Sequence, residues 1–262
     1  MAGTWVPGAM RSLLSQFEAV LALDQNAADR LIHAGTPAEA VLITGAMEDC
    51  APTLPCDEAD RSDVAAAIGT RPVWLAAATP LDECELLATA HLLASRRTHR
   101  LLLVIVPKYP VMSSQIAQTM RDRGFNVSLR SQEPAPCEIT QVYIVDTEEE
   151  LGLWYRIAPI TYLGGTLDGG GCRDPFEVAA LGSAVLYGPR VEPFQRHAAR
   201  LNAAAASRLI RSAADLGPTV EGLLAADKTA ELAHAAWDVT SRGATVKNRI
   251  AAFIQLRLEE LV

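Results

Sequence analysis

Short apolar segments alternate with segments of helical periodicity along most of this chain. Segments 82–95 and 111–123, for example, repeat apolar residues at spacings of three and four. Strands that are apolar throughout are buried on both faces, and their alternation with helices is typical of a parallel sheet covered on both sides. The pattern therefore predicts an α/β fold, a Rossmann-like doubly wound parallel sheet. The predicted strands are 17–23, 41–45, 73–78, 100–106, 126–130, 141–146, 160–164, 184–188 and 208–212.

Composition narrows the class of protein. The 262 residues are 50% hydrophobic and 21% charged, which is typical of a globular chain. The 23 Lys and Arg against 31 Asp and Glu give a net charge of −8, which disfavours nucleic-acid binding and attraction to anionic lipid. No apolar run approaches the length of a membrane span, and no signal peptide is expected. The five cysteines and five histidines show no metal-ligand spacing, so we expect reduced thiols, no metal and no cofactor.

Two segments interrupt the alternation. Residues 46–61 contain two prolines and five acidic residues, which indicates a linker. We therefore expect a remnant of a first domain over 1–48, a linker over 49–62, and a Rossmann-like nucleotide-sugar-binding domain over 63–262. From about residue 227 the chain is expected to form two helices, the last with an apolar stripe packed on the domain.

Segment 160–189 is the strongest candidate for a ligand site. Its strand ends in Gly164-Gly165-Thr166, a loop with three glycines spans 169–171, and a helix is predicted from Asp174-Pro175. Glycines let backbone N–H groups approach an anion, and a helix start adds unpaired donors, so a phosphate or nucleotide site is favoured over a flexible connector. Asp174 and Glu177 have an alternative explanation, because their spacing fits a capping box.

Two further strand ends carry charged residues. Lys108 follows the most apolar strand, where it could meet a phosphate or remain a solvated loop residue. Asp146 precedes three adjacent acids, Glu148 to Glu150, which fit helix capping better than phosphate binding. His197 is expected on a helix surface, and no residue pattern identifies a catalytic group.

The segments at the predicted strand ends resemble one known family. Residues 164–189, GGTLDGGGCRDPFEVAALGSAVLYGP, resemble the pattern GGSLxxxGGHNPLEPAALGxPVLxGP of the 3-deoxy-D-manno-octulosonic acid (Kdo) transferases of lipopolysaccharide synthesis. Three shorter segments resemble further patterns of the family more weakly. Residues 146–155, DTEEELGLWY, resemble DTxGELGxxY; residues 106–111, VPKYPV, resemble VPRHPE; and residues 77–85, AATPLDECE, resemble ASTHPGEEE. The resemblance runs from about residue 12 to the end and covers only the later part of a family member.

The resemblance implies a fold, a donor and a set of binding residues. Members are bacterial glycosyltransferases of the GT-B fold, with two Rossmann domains, that use CMP-Kdo. By position, Lys108 stands for a phosphate-contacting arginine, Thr166 and the loop 169–171 lie near the CMP phosphate, and Glu177 lies near the ribose hydroxyls. The expected nucleotide-binding residues are Lys108, Gly165, Thr166, Gly169, Gly170, Gly171, Arg173, Asp174 and Glu177.

Several polar positions depart from the family pattern, while the apolar framework is kept. Glu149 stands where the family has glycine, and a carboxylate there would repel a phosphate. Arg173 and Asp174 replace a His-Asn pair, and an arginine could still bind phosphate. The other departures are Ala46, Glu48, Ala78, Pro80, Tyr109, Cys172 and Pro193.

The sequence therefore predicts a Kdo transferase-like domain that binds CMP-Kdo for transfer to a lipid A precursor. In the family the acceptor site and a carboxylate general base belong to the first domain, so this chain alone is expected to be incomplete as an enzyme. The alternatives are a degenerate nucleotide-binding or scaffold domain, and a GT-B enzyme with another nucleotide sugar. The expected partners are a nucleotide sugar and either a separate first-domain chain or a second copy. The expected location is cytoplasmic, at most peripheral at the inner membrane.

Overall fold

The computed structural model describes residues 7–45, 54–169 and 171–259, and its side chains from residue 11 with 242–245 excepted. The chain divides into two compact units. The first unit comprises Met1–Cys50 and Ser241–Val262, and the second comprises Ala51–Thr240. Within the described ranges, no helix combines the length and apolar character needed to cross a membrane.

The first unit contains a small parallel sheet. Its elements are α1 (Pro7–Leu14), β1 (Val20–Ala22), α2 (Gln25–His33), β2 (Val41–Ile43) and the end of α10 (Ala226–Glu259). Helix α2 begins where the Asp24 carboxylate accepts a hydrogen bond from the Ala27 N–H at 2.7 Å. Strands β1 and β2 pair in parallel, and Leu42 and Ile43 on β2 remain exposed.

The second unit is a seven-stranded parallel sheet with helices on both faces. Its strands are β3 (Val73–Thr79), β4 (Leu102–Pro107), β5 (Val127–Leu129), β6 (Val142–Ile144), β7 (Ile160–Leu163), β8 (Ala184–Tyr187) and β9 (Ser207–Leu209). Its helices are α3 (Glu58–Ile68), α4 (Cys84–Ser95), α5 (Ser113–Asp122), α6 (Leu151–Ile157), α7 (Pro175–Ala180), α8 (Gln195–Ala203), α9 (Ala213–Leu223) and the start of α10. The strand order is β5-β6-β4-β3-β7-β8-β9, and every pair is parallel.

Alternate strand residues supply two separate cores. On one face Trp74 and Leu103 pack with residues of α4, α5 and α9. On the other face Leu75 and Val104 pack with residues of α3, α6, α7 and α8. Because both faces are covered, the strands are apolar throughout, which is the pattern that the sequence shows. All nine predicted strands are present, and the predicted α/β fold is confirmed.

The structure corrects two expected segments. Helix α3 begins at Glu58, inside the expected linker 49–62, because the Asp57 carboxylate accepts hydrogen bonds from the N–H groups of Ala59 and Asp60. The expected two C-terminal helices are one helix, α10, which has no proline and a single glycine, Gly243. One glycine costs a helix only about 1 kcal/mol, which is too little to end it.

The apolar stripe of α10 also differs from the expectation. Val246 and Ile250 are partly buried, whereas Ile254 and Leu258 are exposed. The end of the helix belongs to the first unit, where Arg257 pairs with Glu18 and Val246 lies against Gly45. The stripe is therefore covered only over its first half, and Leu261 lies outside the described residues.

His91 is a buried titratable group in the core beneath α4. Its Nδ1 accepts a hydrogen bond from Trp74 Nε1 at 3.1 Å, and its ring lies against Phe125. Burial lowers the pKa of His91 to about 4. The charge of Arg71 lowers this pKa further, and a hydrogen bond with the Gln141 backbone raises it. The ring is therefore neutral in the folded protein near neutral pH.

We predict that His91 makes the fold acid-sensitive. Above pH 6.5 the His91 ring is neutral in the folded and in the unfolded protein. Between pH 6.5 and about pH 4 the ring binds a proton in the unfolded protein and not in the folded protein. Stability from this group should therefore fall by about 1.4 kcal/mol per pH unit as the pH drops through that window. His91→Asn keeps an acceptor for Trp74 and should flatten the slope in urea unfolding at several pH values. An unchanged slope in the variant would contradict this role of His91. Burial raises the pKa values of Glu83 and Glu177, which gives a contribution of opposite sign. That contribution is the same in the wild type and the variant, so it cancels when their slopes are compared.

Candidate functional site

A cleft of about 670 Å³ lies at the carboxyl ends of β3, β4 and β6. In an open parallel sheet, ligands bind at this edge, near the point where the strand order reverses. Here the reversal lies at β3, because β4 pairs with one side of it and β7 with the other. The cleft is lined by Ala78 at the end of β3 and by residues of the loops after β4, β6 and β7, among them Lys108, Tyr109, Thr147, Glu148, Glu149, Glu150 and Arg173.

Lys108 and Arg173 give this cleft two cationic side chains. Lys108 directly follows β4, and its backbone N–H donates to the Thr79 carbonyl at 2.8 Å. The loop containing Gly171 passes beside it, since a Cβ on Gly171 would lie 3.7 Å from Lys108 Nζ. The structure thus brings together three of the expected nucleotide-binding residues, Lys108, Gly171 and Arg173.

The first glycine turn has a different role in this structure. Glu83, fully buried at the end of a short 3-10 helix after β3, accepts hydrogen bonds from the N–H groups of Gly165 at 2.9 Å and Leu167 at 3.3 Å. The Tyr162 hydroxyl donates to the same carboxylate at 3.2 Å. Burial raises the pKa of Glu83, and these hydrogen bonds lower it. The Gly165 N–H, expected to face a ligand, is therefore occupied by a residue of the chain itself.

Close backbone packing explains the glycines that flank this turn. A Cβ on Gly164 would lie 2.7 Å from Thr79 Cα, and one on Gly188 would lie 2.4 Å from the Thr166 carbonyl oxygen. Thr166 is fully buried; its hydroxyl donates to the Leu163 carbonyl at 2.6 Å and accepts from the Gly188 N–H at 2.7 Å. Thr166 therefore joins the ends of two strands, and its hydroxyl is engaged within the framework.

The glycine loop itself contacts another arginine. Gly169 has a φ of +89°, a conformation that favours glycine, and a Cβ there would lie 2.5 Å from Arg190 Nη1. Arg190 Nη1 donates to the Asp168 carbonyl at 2.6 Å. Gly170, another expected binding residue, lies outside the described residues.

Arg173 and Glu177 form a two-pronged ion pair. Arg173 Nε and Nη2 donate to the two Glu177 carboxylate oxygens at 2.9 and 2.8 Å. The Glu177 side chain is 11% exposed and that of Arg173 is 41% exposed. Burial raises the pKa of Glu177, and the charge of Arg173 lowers it. In this structure the Arg173 guanidinium and the Glu177 carboxylate therefore bind each other.

Asp174 begins α7 as predicted, and only half of the expected capping box forms. Its carboxylate accepts from the Phe176 N–H at 2.9 Å and pairs with His197 Nδ1 at 2.7 Å. Glu177, expected to complete the box, turns to Arg173 instead, because a guanidinium offers a charged two-pronged partner. His197, expected on a helix surface, is partly buried and stacks on Phe176 with ring centroids 4.0 Å apart. Within the described residues, no three acidic, His or Cys side chains are grouped to hold a metal.

An acidic segment also lines the cleft. Glu148, Glu149 and Glu150 line it, and Glu149 has a φ of +61°, which is strained for a residue with a Cβ. The family pattern has glycine at this position, and glycine adopts this conformation without strain. Glu149 therefore adopts the kind of backbone conformation that the glycine of the family pattern would allow without strain.

The largely buried side chain of Arg130 forms an ion pair with this acidic segment. Its side chain is 8% exposed, its Nε donates to Glu150 at 3.0 Å, and its Nη2 pairs with Asp60. Glu150 also accepts from the Thr147 hydroxyl at 2.7 Å and from Trp154 Nε1 at 3.3 Å. Glu150 is therefore a structural anchor.

Sequence reasoning missed Glu83, Arg130 and Tyr155. Glu83 lies among several acids and Arg130 among polar loop residues, so neither composition nor spacing distinguishes them. Tyr155 is fully buried and belongs to the DTEEELGLWY segment, where only the family pattern indicates its position. Their partners are far apart in the sequence, which a local pattern does not reveal.

The fold and this cleft define the class: the second unit is a Rossmann-like domain of the kind found in the C-terminal half of GT-B glycosyltransferases. Its structure matches the C-terminal CMP-Kdo binding domain of WaaA from Acinetobacter baumannii with a TM-score of 0.60 and 25% identity, covering 70% of this chain and 98% of that domain. Anabaena HepE, solved in complex with UDP-glucose, shares the fold with a TM-score of 0.54 at 13% identity, covering 96% of this chain and 68% of that one. No protein-family model matches the chain.

The sequence relatives are Kdo transferases. The chain is 29% identical to the Kdo transferase of Haemophilus influenzae over 263 residues, covering 97% of this chain and 60% of that protein. It is also 29% identical to the Kdo transferase of Bordetella pertussis, covering 92% of this chain and 57% of that protein. These relatives and the match to the WaaA domain confirm the predicted resemblance to the Kdo transferases. It spans about 60% of the length of the Haemophilus relative.

Proposed function

We propose that the second unit binds the nucleotide sugar CMP-Kdo in the cleft after β3, β4 and β6. The observation that carries this proposal is that Lys108 and Arg173 both line the cleft, with the backbone of Gly171 beside Lys108. Two cations at the carboxyl ends of parallel strands fit an anionic phosphate. The likeness to a CMP-Kdo binding domain, of which the chain covers 98%, supports the choice of donor.

The reaction proposed for the whole glycosyltransferase is transfer of Kdo from CMP-Kdo to a lipid A precursor. This reaction needs a group that deprotonates the attacking hydroxyl and a surface that holds the acceptor. We assign neither to the second unit, whose cleft residues serve the donor. The proposed role of this chain is therefore donor binding within a two-domain enzyme.

The first unit is proposed to be the last part of the acceptor domain. In the described part of this unit the sheet has two strands, and Leu23, Leu42 and Ile43 on or beside them are exposed. Sheets that stand alone have more strands and cover an apolar face. These exposed side chains support docking of the first unit against the rest of such a domain.

A non-catalytic scaffold is the second candidate. Glu148, Glu149 and Glu150 line the proposed phosphate cleft, and Arg173 is engaged by Glu177. Carboxylates near a phosphate weaken its binding. These features favour a domain that keeps the fold after losing the ligand.

Calorimetric titration with CMP, UMP and ADP separates these functions. The proposal predicts that CMP binds and that UMP and ADP bind more weakly. Preference for UMP or ADP would favour a GT-B protein with another nucleotide sugar. Absence of binding to all three would contradict the proposal and favour the scaffold.

A further inference from the structure

Tyr109 places an exposed aromatic ring in the cleft. The residue lines the cleft beside Lys108 and is 52% exposed, whereas most aromatic residues of the second unit are buried. Of the described residues that line the cleft, it is the one with an aromatic ring. Ligand clefts are commonly lined by such rings, which cover a flat or apolar part of the ligand. The Tyr109 ring is therefore a candidate contact for a part of the ligand other than its phosphate.

The backbone of Tyr109 is held on both sides. Pro110 follows it, and a residue before proline is confined to extended conformations; Tyr109 has a φ of −132° and a ψ of 124°. Its carbonyl accepts a hydrogen bond from the Met112 N–H at 2.9 Å, and the preceding N–H, that of Lys108, donates to the Thr79 carbonyl at 2.8 Å. The ring is therefore carried by a fixed backbone before a ligand arrives, which lowers the entropy lost on binding.

The ring lies next to the cation that is proposed to bind phosphate. Lys108 Nζ is 5.6 Å from the centroid of the Tyr109 ring, which is a cation–π distance. The backbone of Gly171 lies beside the same ammonium group, since a Cβ there would be 3.7 Å from Lys108 Nζ. A ligand whose phosphate is bound by Lys108 would thus hold a group next to that phosphate within reach of the Tyr109 ring.

The size and lining of the cleft favour a ligand larger than a phosphate ion. Its volume of about 670 Å³ is that of a site for a complete small molecule. Besides the charged residues, Leu54, Pro55, Pro110 and Leu151 give it an apolar lining. Of the two groups that flank the phosphate of CMP-Kdo, the nucleoside carries a flat aromatic base, whereas Kdo is a polar acidic sugar. The base is therefore the group that matches an aromatic ring and an apolar lining.

We propose that the Tyr109 ring stacks on the cytosine base of the nucleotide while Lys108 binds its phosphate. Stacking uses the face that every base has, so Tyr109 supplies affinity for the nucleoside and does not choose among bases. The family pattern VPRHPE has histidine at this position, so the role belongs to a residue at which this chain departs from the family. This inference rests on the proposed function and adds the position of the base to it.

Tyr109→Leu tests the stacking. The variant keeps an apolar side chain at an exposed position, so its Tm should equal that of the wild type. Its affinities for CMP and for cytidine should both fall about tenfold, in line with the loss of one base–aromatic contact. Its affinity for ribose 5-phosphate, which has no base, should not change. Tyr109→Phe keeps the ring and should bind CMP and cytidine as the wild type does.

Val111→Ala is the matched control. Val111 is two residues away, is 86% exposed, and is outside the set of residues that line the cleft. This variant should match the wild type with all three ligands. Unchanged CMP affinity in Tyr109→Leu, or an equal loss for ribose 5-phosphate, would overturn the stacking and leave nucleotide binding in place. A wild-type protein that binds neither CMP nor cytidine would contradict the proposed function and the stacking together.

A second readout observes the contact itself. The other four tyrosines are buried, so Tyr109 is the tyrosine that a ligand in the cleft can reach. In a deuterated protein with protonated tyrosine rings, nuclear Overhauser effects should connect the Tyr109 ring with the H5 and H6 protons of cytosine in bound CMP. Tyr109→Phe identifies the Tyr109 signals. Effects from the Tyr109 ring to the ribose protons alone, or none from this ring while CMP is bound, would overturn the stacking.

Discussion

A Glu83→Ala variant is expected to lose about 3 kcal/mol or more of its free energy of unfolding. The Glu83 carboxylate is the acceptor for the N–H groups of Gly165 and Leu167 and for the Tyr162 hydroxyl. Each buried donor left without an acceptor costs about 1–3 kcal/mol. Urea unfolding of the two proteins measures the difference.

Glu85→Ala is the control for this effect. Glu85 is two residues away, is 64% exposed, and pairs with Arg123 at the surface. Its removal should cost less than about 1 kcal/mol. Similar losses in the two variants would show that the Glu83 carboxylate does not hold the turn.

The second large effect is expected from Arg130→Ala. The Arg130 side chain is 8% exposed and pairs with Asp60, which is 35% exposed, and with Glu150, which is 21% exposed. Removing one partner leaves uncompensated carboxylates in a partly buried place, which costs about 3 kcal/mol. The loss should appear as a lower urea midpoint, and Arg123→Ala provides an exposed arginine of the same size as control.

The result also bears on the cleft. Glu150 adjoins Glu149, whose backbone is held at a φ of +61°. Without Arg130, the acidic segment that lines the cleft loses this ion pair. An Arg130→Ala variant with the stability of the wild type would show that Thr147 and Trp154 hold Glu150 alone.

The sheet could be predicted from the sequence because its strands are buried on both faces. Such strands are apolar throughout, so β4 is visible as the run from Leu102 to Pro107 without any knowledge of its neighbours. The side of the sheet that carries the cleft follows from the same pattern, since residues after parallel strands meet at one edge. This is why Lys108 and Arg173 could be expected at one site.

Element ends were harder to predict because they depend on single contacts. The prolines and acids of 46–61 indicated a linker, yet Asp57 caps a helix there. Near the C-terminus two helices were expected, yet α10 continues as one helix through Gly243. Small local energies decide such boundaries, and spacing alone does not resolve them.

The hydrogen bonds between the glycine turn and the buried Glu83 carboxylate could not be predicted. Gly165 pairs with Glu83, 82 residues earlier in the chain, and Arg130 pairs with Asp60, 70 residues away. A glycine-rich turn exposes the same donors whether a phosphate or a carboxylate of the chain accepts from them. Only the folded arrangement shows that Glu83 fills this place.

The most direct test of the central claim is the CMP affinity of Lys108→Ala relative to its affinity for cytidine, which lacks the phosphate. If Lys108 binds the phosphate in the cleft, the variant should bind CMP about tenfold more weakly and cytidine as the wild type does. Lys228→Ala, which removes an exposed lysine elsewhere in the second unit, should match the wild type with both ligands. Unchanged CMP affinity in Lys108→Ala, or equal losses for CMP and cytidine, would contradict a phosphate site at Lys108.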